Sequence, residues 1–308
     1  MSLTAFIFPG QGSQYAGMGK DLSDNFRIAA DTFAEADEAL GFHLSNLCFS
    51  GPEDELKLTM NTQPAILAAS VAALRVVKSE IELKPGYLAG HSLGEYSALV
   101  ASGSLDFADA LRTVRSRGKF MQEAVPVGIG AMAAILSVEQ EILAEICREA
   151  AEGEVVSPAN FNSPGQIVIA GHAAAVNRAI EIAKGRGFRK AMLLPVSAPF
   201  HSALMVPAGE RLREVLDQVH FADISIPVVT NVEALPNLES IRIRELLVTQ
   251  VSAPVRWDDS VREMVRLGVS SFLEIGPGKV LSGLVRRIDK EVSTFNVEDT
   301  AGVRGLKL

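Results

Sequence analysis

The chain has 308 residues, 48% of them hydrophobic, which is enough to bury the core of one large domain or of a large domain with a smaller insert. Its formal net charge of −8 argues against nucleic acid or an anionic membrane surface as the main partner, because both bind clustered positive charge. It has no apolar run of about 18 residues, so we expect a cytoplasmic protein without a membrane span or signal peptide. The two cysteines, Cys48 and Cys147, have neither the number nor the spacing of a disulfide framework or a metal site.

Apolar runs alternate with amphipathic stretches along the whole chain, which predicts an α/β fold with a mainly parallel sheet. Buried strands are predicted over residues 5–8, 86–89, 227–230 and 271–275. A buried helix is predicted over residues 64–77, because alanine, isoleucine, leucine or valine lies on nearly every side of it. Asn61 or Thr62 is expected to cap this helix, with Pro64 in its first turn.

The segment 128–195 has an order of elements of its own. Six elements are predicted in it: a strand over residues 131–136, a helix over 139–151, a strand near Val155, a strand over 166–170, a helix over 173–184 and a strand over 191–194. This β-α-β-β-α-β order is the ferredoxin-like arrangement. We therefore expect a hydrolase-like large domain formed by residues 1–127 and 196–308, with an inserted small subdomain of residues 128–195 and a ligand cleft between them.

A nucleophile elbow is predicted at Gly90-His91-Ser92-Leu93-Gly94, which matches the pattern G-x-S-x-G between a strand and a helix-forming run. The two glycines permit the tight turn that exposes the serine hydroxyl. The N-terminus of the following helix would present N–H groups to a developing oxyanion, and the N–H of Leu93 is the natural first donor. An ordinary glycine-flanked turn is the alternative.

A serine hydroxyl needs a base within hydrogen-bond distance, and the chain has five histidines. His201 is the candidate, because it follows the apolar run 192–196 and the turn Ser197-Ala198-Pro199, where a strand edge would bring it to a cleft. His91 flanks the serine and is expected to point away from it. Since no acidic residue stands in an obvious third position, a backbone carbonyl is the alternative group to orient the imidazole.

Seven blocks, taken in order, resemble those of the malonyl-CoA:acyl carrier protein transacylase family of fatty-acid synthesis. They span almost the whole chain and read FPGQGSQ at 8–14, TQPA at 62–65, GHSLGEY at 90–96, RGKFMQ at 117–122, NFNSPGQ at 160–166, PFH at 199–201 and EIGPG at 274–278. The blocks also resemble those of acyltransferase domains in multidomain fatty-acid and polyketide synthases. At this length we expect the stand-alone enzyme.

The resemblance implies a role for each matching residue. Ser92 would be the acylated nucleophile and His201 its base, while the main-chain carbonyl of Gln250 would take the orienting place usually given to an aspartate. Gln11 would supply the second oxyanion N–H, and Arg117 would hold the malonyl carboxylate.

Four further residues complete the substrate site that the resemblance implies. Gln63 would bind substrate, and Asn160 and Asn162 would border the pantetheine arm. Phe200 is large where relatives that accept methylmalonyl units tend to carry a smaller residue, so we expect unbranched malonyl to be preferred.

The chemistry of a malonyl thioester supports the assignment of Arg117. Its terminal carboxylate would be costly to bury without a partner, and a guanidinium can donate two parallel charge-assisted hydrogen bonds to it. The alternative is a solvated arginine on the surface of its helix, near Arg112 and Arg115.

The implied second substrate is an acyl carrier protein, which is usually acidic and would be repelled by the net charge of this chain. A local basic patch of Arg189, Lys190, Arg286 and Arg287 is therefore predicted to steer it. Solvated helix faces are an equal alternative for these residues. We expect a monomer that uses a coenzyme A thioester and needs neither a metal nor a bound cofactor.

Two other functions share these features. A serine esterase or thioesterase would have the same elbow and pass the acyl group to water. A catalytically inactive scaffold would bind carrier protein only.

Overall fold

The computed structural model describes residues 3–126, 128–196 and 198–306. Within these residues the chain folds into ten strands and fourteen α-helices. The strands are β1 (Leu3–Phe8), β2 (Tyr87–Gly90), β3 (Gly130–Leu136), β4 (Val156–Ser163), β5 (Gln166–His172), β6 (Ala191–Leu193), β7 (Val228–Val229), β8 (Pro236–Asn237), β9 (Val269–Ile275) and β10 (Ser293–Val297). The helices are α1 (Lys20–Asn25), α2 (Arg27–Leu40), α3 (Leu44–Ser50), α4 (Glu53–Leu56), α5 (Thr59–Glu80), α6 (Gly94–Ala101), α7 (Phe107–Glu123), α8 (Gln140–Ala151), α9 (Ala173–Gly185), α10 (Val206–Leu216), α11 (Ser240–Ser252), α12 (Trp257–Arg266), α13 (Val280–Ile288) and α14 (Thr300–Gly305).

Six strands form the main sheet, in the order β10-β9-β1-β2-β7-β8. Neighbouring strands are parallel except β7 and β8, which are antiparallel at one edge. The predicted strands correspond to β1, β2, β7 and β9, so the predicted α/β class with a mainly parallel sheet is confirmed. Because Phe8 of β1 pairs with Gly90 of β2, the segments that follow these two strands leave the sheet side by side.

The other four strands form a separate antiparallel sheet in the order β4-β5-β3-β6. Together with α8 and α9 they have the ferredoxin-like order that the sequence predicts. β4 is longer than expected and carries both Asn160 and Asn162. The division into 1–127 with 196–308 and 128–195 stays a prediction, and its boundary residue Val127 and the turn residue Ser197 lie outside the described residues.

The prediction for the start of the long apolar helix was wrong. α5 begins at Thr59, so Asn61 and Thr62 lie in its first turn and do not cap it. The Thr62 hydroxyl instead donates to main-chain carbonyls that precede the helix, at 2.5 and 3.1 Å, which stabilises an earlier turn. Pro64 is tolerated close to the start of the helix, where it removes one main-chain hydrogen bond.

A short segment after α11 hydrogen-bonds to β4 of the small sheet. The N–H of Phe161 in β4 donates to the carbonyl of Val255 at 2.9 Å, and the N–H of Val255 donates to the carbonyl of Ala159 at 2.9 Å. The segments that follow β1 and β2 face the small sheet across a cleft, which is lined by Gly10 and His91 on one side and by Asn160 and Val168 on the other. In the ranges that the structure describes, every helix is too short or too polar to span a bilayer.

Candidate active site

Ser92 stands in the tight turn between β2, which ends at Gly90, and α6, which begins at Gly94. Its backbone is left-handed, with a φ of 51°, which is uncommon for a residue other than glycine. The two glycines are required by close contact: a Cβ on Gly90 would overlap the main chain of Gly94, and one on Gly94 would overlap the carbonyl of Phe8. The glycines thus permit the turn by making room, and the strained residue is the serine itself.

The side chain of Asn231 holds the strained peptide of Ser92 on both sides. Its Oδ1 accepts the Ser92 N–H at 2.6 Å, and its Nδ2 donates to the carbonyl of Gly90 at 2.6 Å. Because the N–H can only donate and the carbonyl can only accept, these partners fix the orientation of the amide. Asn231 follows β7, the strand beside β2, and is 1% exposed.

The imidazole of His201 lies against the Ser92 hydroxyl. Its Nε2 is 2.8 Å from Ser92 Oγ, while its Nδ1 is 2.9 Å from the main-chain oxygen of Gln250 and 3.1 Å from that of Ala253. Since carbonyl oxygens only accept, Nδ1 carries the proton and the lone pair of Nε2 faces the hydroxyl. His201 also has a left-handed backbone, with a φ of 59°.

His201 is buried, and burial is the main reason that its pKa is lowered to about 3. The positive charge of Arg117 lowers this pKa in the same direction, and the contacts with the two carbonyls oppose the shift. The ring is therefore neutral at neutral pH. A neutral imidazole with its lone pair toward a hydroxyl is the form that a general base requires.

Arg117 enters the same cavity from α7 and is only 2% exposed, which excludes the alternative of a solvated surface arginine. Its Nη2 donates to Ser92 Oγ and to Gln250 Oε1, each at 3.0 Å, and its Nη1 donates to Gln63 Oε1 at 2.8 Å. These three partners are neutral groups, which a carboxylate that enters the cavity could replace.

A buried carboxylate lies behind this group. Glu95, in the first turn of α6, is 2% exposed, and its Oε2 accepts the side-chain N–H of Gln250 at 2.8 Å and the main-chain N–H of Asn231 at 2.9 Å. Burial raises the pKa of Glu95 to about 7, while these two donors and Arg117 oppose the shift. Gln250 also donates to the carbonyl of Ser92 at 3.1 Å, so its amide contacts the elbow, the guanidinium and this carboxylate.

The two residues predicted to donate to an oxyanion, Gln11 and Leu93, both line the cavity at Ser92. Leu93 directly follows the serine at the start of α6. Gln11 follows β1, whose last residue pairs with Gly90, so the sheet register brings it to the same edge. Their role as donors stays a prediction.

Two cavities meet at this site. The first has a volume of about 120 Å³ and is lined by Gln11, Gln63, His91, Ser92, Leu93, Arg117, Met121, Met132, Asn160, Leu194, Val196, Phe200 and His201. The second has a volume of about 200 Å³, shares Gln11, His91, Asn160 and Leu194 with the first, and extends past Asn162 and Gln166 to the start of α13. Asn160 thus lies at the junction and Asn162 in the second cavity. The His91 ring is 2.9 Å from the Asn162 side-chain oxygen, on the wall of both cavities.

The four residues of the predicted carrier patch are exposed: Arg189, Lys190, Arg286 and Arg287. Arg287 hydrogen-bonds to the side chain of Gln166, which lines the second cavity. Gln166 pairs with Leu136 in the small sheet, and the Leu136 N–H donates to the carbonyl of Lys190 at 2.9 Å. Lys190 and Arg287 therefore lie at one end of this sheet. The side chain of Arg286 instead donates to a hydroxyl of β10 at 2.6 Å.

Three groups of the site were not predicted from the sequence: Glu95, Asn231 and the carbonyl of Ala253. A charged residue in the first turn of an otherwise apolar helix was a signal for Glu95, since a buried carboxylate needs partners. A polar residue directly after a buried strand, at the edge where parallel strands end, was a signal for Asn231. Ala253 contributes only its main chain, so its residue type carries no signal.

Residues 5–304 match the family model described as acyl transferase domain. The chain is 51% identical over 300 residues to the malonyl CoA-acyl carrier protein transacylase of Bacillus subtilis, covering 97% of this chain and 94% of that protein. It is 52% identical over 288 residues to the protein of the same name from Escherichia coli, covering 94% of this chain and 93% of that protein. The crystal structure of an acyl carrier protein S-malonyltransferase from Vibrio cholerae is similar, with a TM-score of 0.97 and 48% identity over 99% and 100% of the two chains. A malonyl-transacylase solved with its type II PKS acyl-carrier protein has a TM-score of 0.96 and 49% identity over 98% of each chain. The chain therefore belongs to the family of malonyl CoA-acyl carrier protein transacylases.

Proposed function

We propose that this chain transfers a malonyl group from malonyl-CoA to the phosphopantetheine thiol of an acyl carrier protein, through an ester on Ser92, and so supplies fatty-acid chain elongation. The observation that carries the proposal is the position of Ser92 Oγ, 2.8 Å from His201 Nε2 and 3.0 Å from Arg117 Nη2. A nucleophile, a base and a carboxylate-binding cation meet at one atom. The relatives named above have the same activity in their names.

The first half of the reaction forms the acyl-enzyme. His201 Nε2 takes the proton of the Ser92 hydroxyl as the oxygen attacks the thioester carbonyl, and the carbonyl oxygen becomes an oxyanion. The main-chain N–H groups of Gln11 and Leu93 would hold this oxyanion, and the loss of one such donor costs on the order of 3 kcal/mol in the barrier. The carbon–sulfur bond then breaks, and the coenzyme A thiolate leaves with the proton from the imidazole.

The second half passes the malonyl group to the carrier. The phosphopantetheine thiol gives its proton to His201 as its sulfur attacks the ester carbonyl of Ser92. The carbon–oxygen bond breaks and the serine oxygen takes the proton back. The second cavity, bordered by Asn160 and Asn162, provides the route for the pantetheine arm, because it opens from the first cavity toward the surface near α13. The cycle uses only groups of the chain and the two thiols, so we assign it no bound cofactor.

Arg117 and Gln63 would select the malonyl group. The malonyl carboxylate would replace neutral partners of the guanidinium and accept two parallel hydrogen bonds from it. Gln63, which accepts from Nη1 at 2.8 Å, would hold the guanidinium in place. Phe200, in the wall of the first cavity, would leave little room for a branched acyl chain.

The carrier protein would dock at the end of the small sheet. Lys190 and Arg287 lie there, and Arg287 contacts Gln166 in the wall of the second cavity. Their positive charges offer a local attraction that the net charge of −8 does not. Arg189 and Arg286 complete the proposed patch. The monomeric state and the cytoplasmic location remain predictions.

Labelled malonyl-CoA provides the test. We expect one label per chain, stable to denaturation, located on Ser92, and transferred when holo acyl carrier protein is added. Ser92→Ala should abolish both steps. Rapid release of free malonate without transfer would support the hydrolase alternative, and an unlabelled chain that still binds carrier would support the scaffold.

A further inference from the structure

Asn231 and Gln250 support the nucleophile, the base and the guanidinium of the site, and both donate to one buried acceptor, the carboxylate of Glu95. Asn231 holds the strained peptide of Ser92, and Gln250 contacts the base, the guanidinium and the elbow. Both residues converge on Oε2 of Glu95, one through its main chain at 2.9 Å and the other through its side chain at 2.8 Å. All three are nearly inaccessible to solvent, so water does not replace a lost partner.

We propose that the Glu95 carboxylate is a positioning group for the transfer reaction: it fixes Asn231 and Gln250, which keep the nucleophile, the base and the guanidinium in register. The inference rests on the acyl-enzyme role of Ser92 proposed above. Glu95 does not itself contact Ser92 Oγ or the imidazole in the hydrogen bonds of the site, so it acts through its two neighbours.

The orientation of the Gln250 amide shows why an acceptor is needed at this place. The guanidinium of Arg117 can only donate, so it must face Oε1, and the carbonyl of Ser92 can only accept, so it must face Nε2. Nε2 has a second hydrogen that points to Glu95. Without an acceptor there, the buried N–H loses its partner and the amide loses the group that holds it in this orientation.

The negative charge of Glu95 has a second consequence, which concerns Arg117. One amide bridges the two charges, because Gln250 accepts from Arg117 at 3.0 Å and donates to Glu95 at 2.8 Å. At this separation the carboxylate stabilises the positive charge of the guanidinium and would repel a second carboxylate bound there. Glu95 therefore moderates how tightly the malonyl group is held. A group without a carboxylate, such as acetyl, does not experience this effect.

Two substitutions separate the acceptor from the charge. Glu95→Gln keeps an acceptor oxygen in the Oε2 position and removes the charge, whereas Glu95→Met keeps the length of the side chain and removes both. Asp37 provides the matched control, because it accepts the N–H and the hydroxyl of Ser45 at 2.8 and 2.6 Å in a half-buried position and lines neither of the two cavities. Asp37→Leu should lower the melting temperature and leave acylation unchanged.

Rapid-quench measurement of the label on Ser92 at pH 8, above the pKa of about 7 of Glu95, gives the decisive rates. We expect Glu95→Gln to acylate within about tenfold of the wild type and Glu95→Met to be slower by about 100-fold or more, because small displacements of reacting groups have effects of that size. Glu95→Gln should also lower the KM for malonyl-CoA by about threefold or more and leave that for acetyl-CoA unchanged.

A wild-type acylation rate in Glu95→Met would overturn the proposal. If that variant does not fold, Glu95→Gln still decides. Acylation slowed by about 100-fold in this variant would contradict the acceptor role, and equal changes in KM for both donors, or no change for either, would contradict the charge effect. An unlabelled wild-type chain would instead refute the proposed acyl-enzyme and, with it, a positioning role of Glu95 in the transfer.

Discussion

The guanidinium of Arg117 donates to the hydroxyl of Ser92 at 3.0 Å, from a side chain that is 2% exposed. A buried cation at the nucleophile gains no counter-charge from a neutral ester. It suits an enzyme whose substrate brings its own carboxylate. The contact therefore favours an acyl group that carries a carboxylate, and it leads to the first prediction.

Arg117→Ala should lower malonyl transfer by about 100-fold or more, because the carboxylate loses two charge-assisted hydrogen bonds of roughly 1.5–3 kcal/mol each. Acetyl transfer should be retained or raised. The comparison of kcat/KM for malonyl-CoA and acetyl-CoA measures the effect. Arg117→Lys is the control. It keeps the positive charge but cannot donate two parallel hydrogen bonds, so it should give an intermediate rate of malonyl transfer. An equal loss for both donors would count against the assigned role.

The lowered pKa of His201 predicts that its ring stays neutral at pH values far below the ordinary pKa of histidine. The groups that face it are the Arg117 guanidinium, His91 and the carbonyls of Gln250 and Ala253. In NMR spectra of histidine-labelled protein, the His201 resonances should not titrate between pH 8 and 5. Arg117→Ala removes the nearest positive charge and should raise this pKa. A wild-type midpoint near 6.5 would contradict the prediction.

The same shift affects stability with a definite sign. The unfolded chain protonates His201 near pH 6.5 and the folded chain does not, so the free energy of unfolding falls as the pH drops below about 6.5. His201→Gln should reduce this dependence in urea titrations at pH 7 and pH 5. Identical slopes in the wild type and in His201→Gln would contradict burial of a neutral ring.

Phe200→Ser should widen the range of acyl groups. Phe200 is 7% exposed and lines the first cavity, so a smaller side chain leaves space beside the acyl group. We expect the ratio of methylmalonyl to malonyl transfer to rise by about tenfold, the scale of one extra methyl group in an apolar pocket. Competition between the two thioesters measures it. An unchanged ratio would place the selectivity elsewhere.

Reversing a charge in the carrier patch should affect only the second substrate. Lys190→Glu or Arg287→Glu should raise the KM for acyl carrier protein by about threefold or more and leave the KM for malonyl-CoA unchanged, because rim charges mainly steer association. The effect should shrink at high salt. Arg27→Glu, on the exposed face of α2, is the matched control. A carrier KM that does not change would end the docking proposal.

The sequence alone determined the order of the elements, the mainly parallel sheet and the elbow at Ser92. Runs of apolar residues predict buried strands directly, and G-x-S-x-G between a strand and a helix is a local pattern. It misplaced the start of α5, because the hydroxyl of Thr62 bonds backward along the chain and does not cap the helix. The small sheet was predictable for the same reason as the main one, since its elements follow each other in sequence.

The tertiary structure alone decided which distant groups touch. Three features of the site result from packing between distant segments. Arg117 is buried, the carbonyl of Ala253 shares the imidazole proton with that of Gln250, and Glu95 joins two amides. The longest of these links joins residues 155 apart in sequence. A residue type states what a side chain can donate or accept, but burial and partners depend on the sheet order that places β7 and α11 beside the elbow. The sequence therefore predicted the chemistry of the site, and the fold determined its supporting hydrogen bonds.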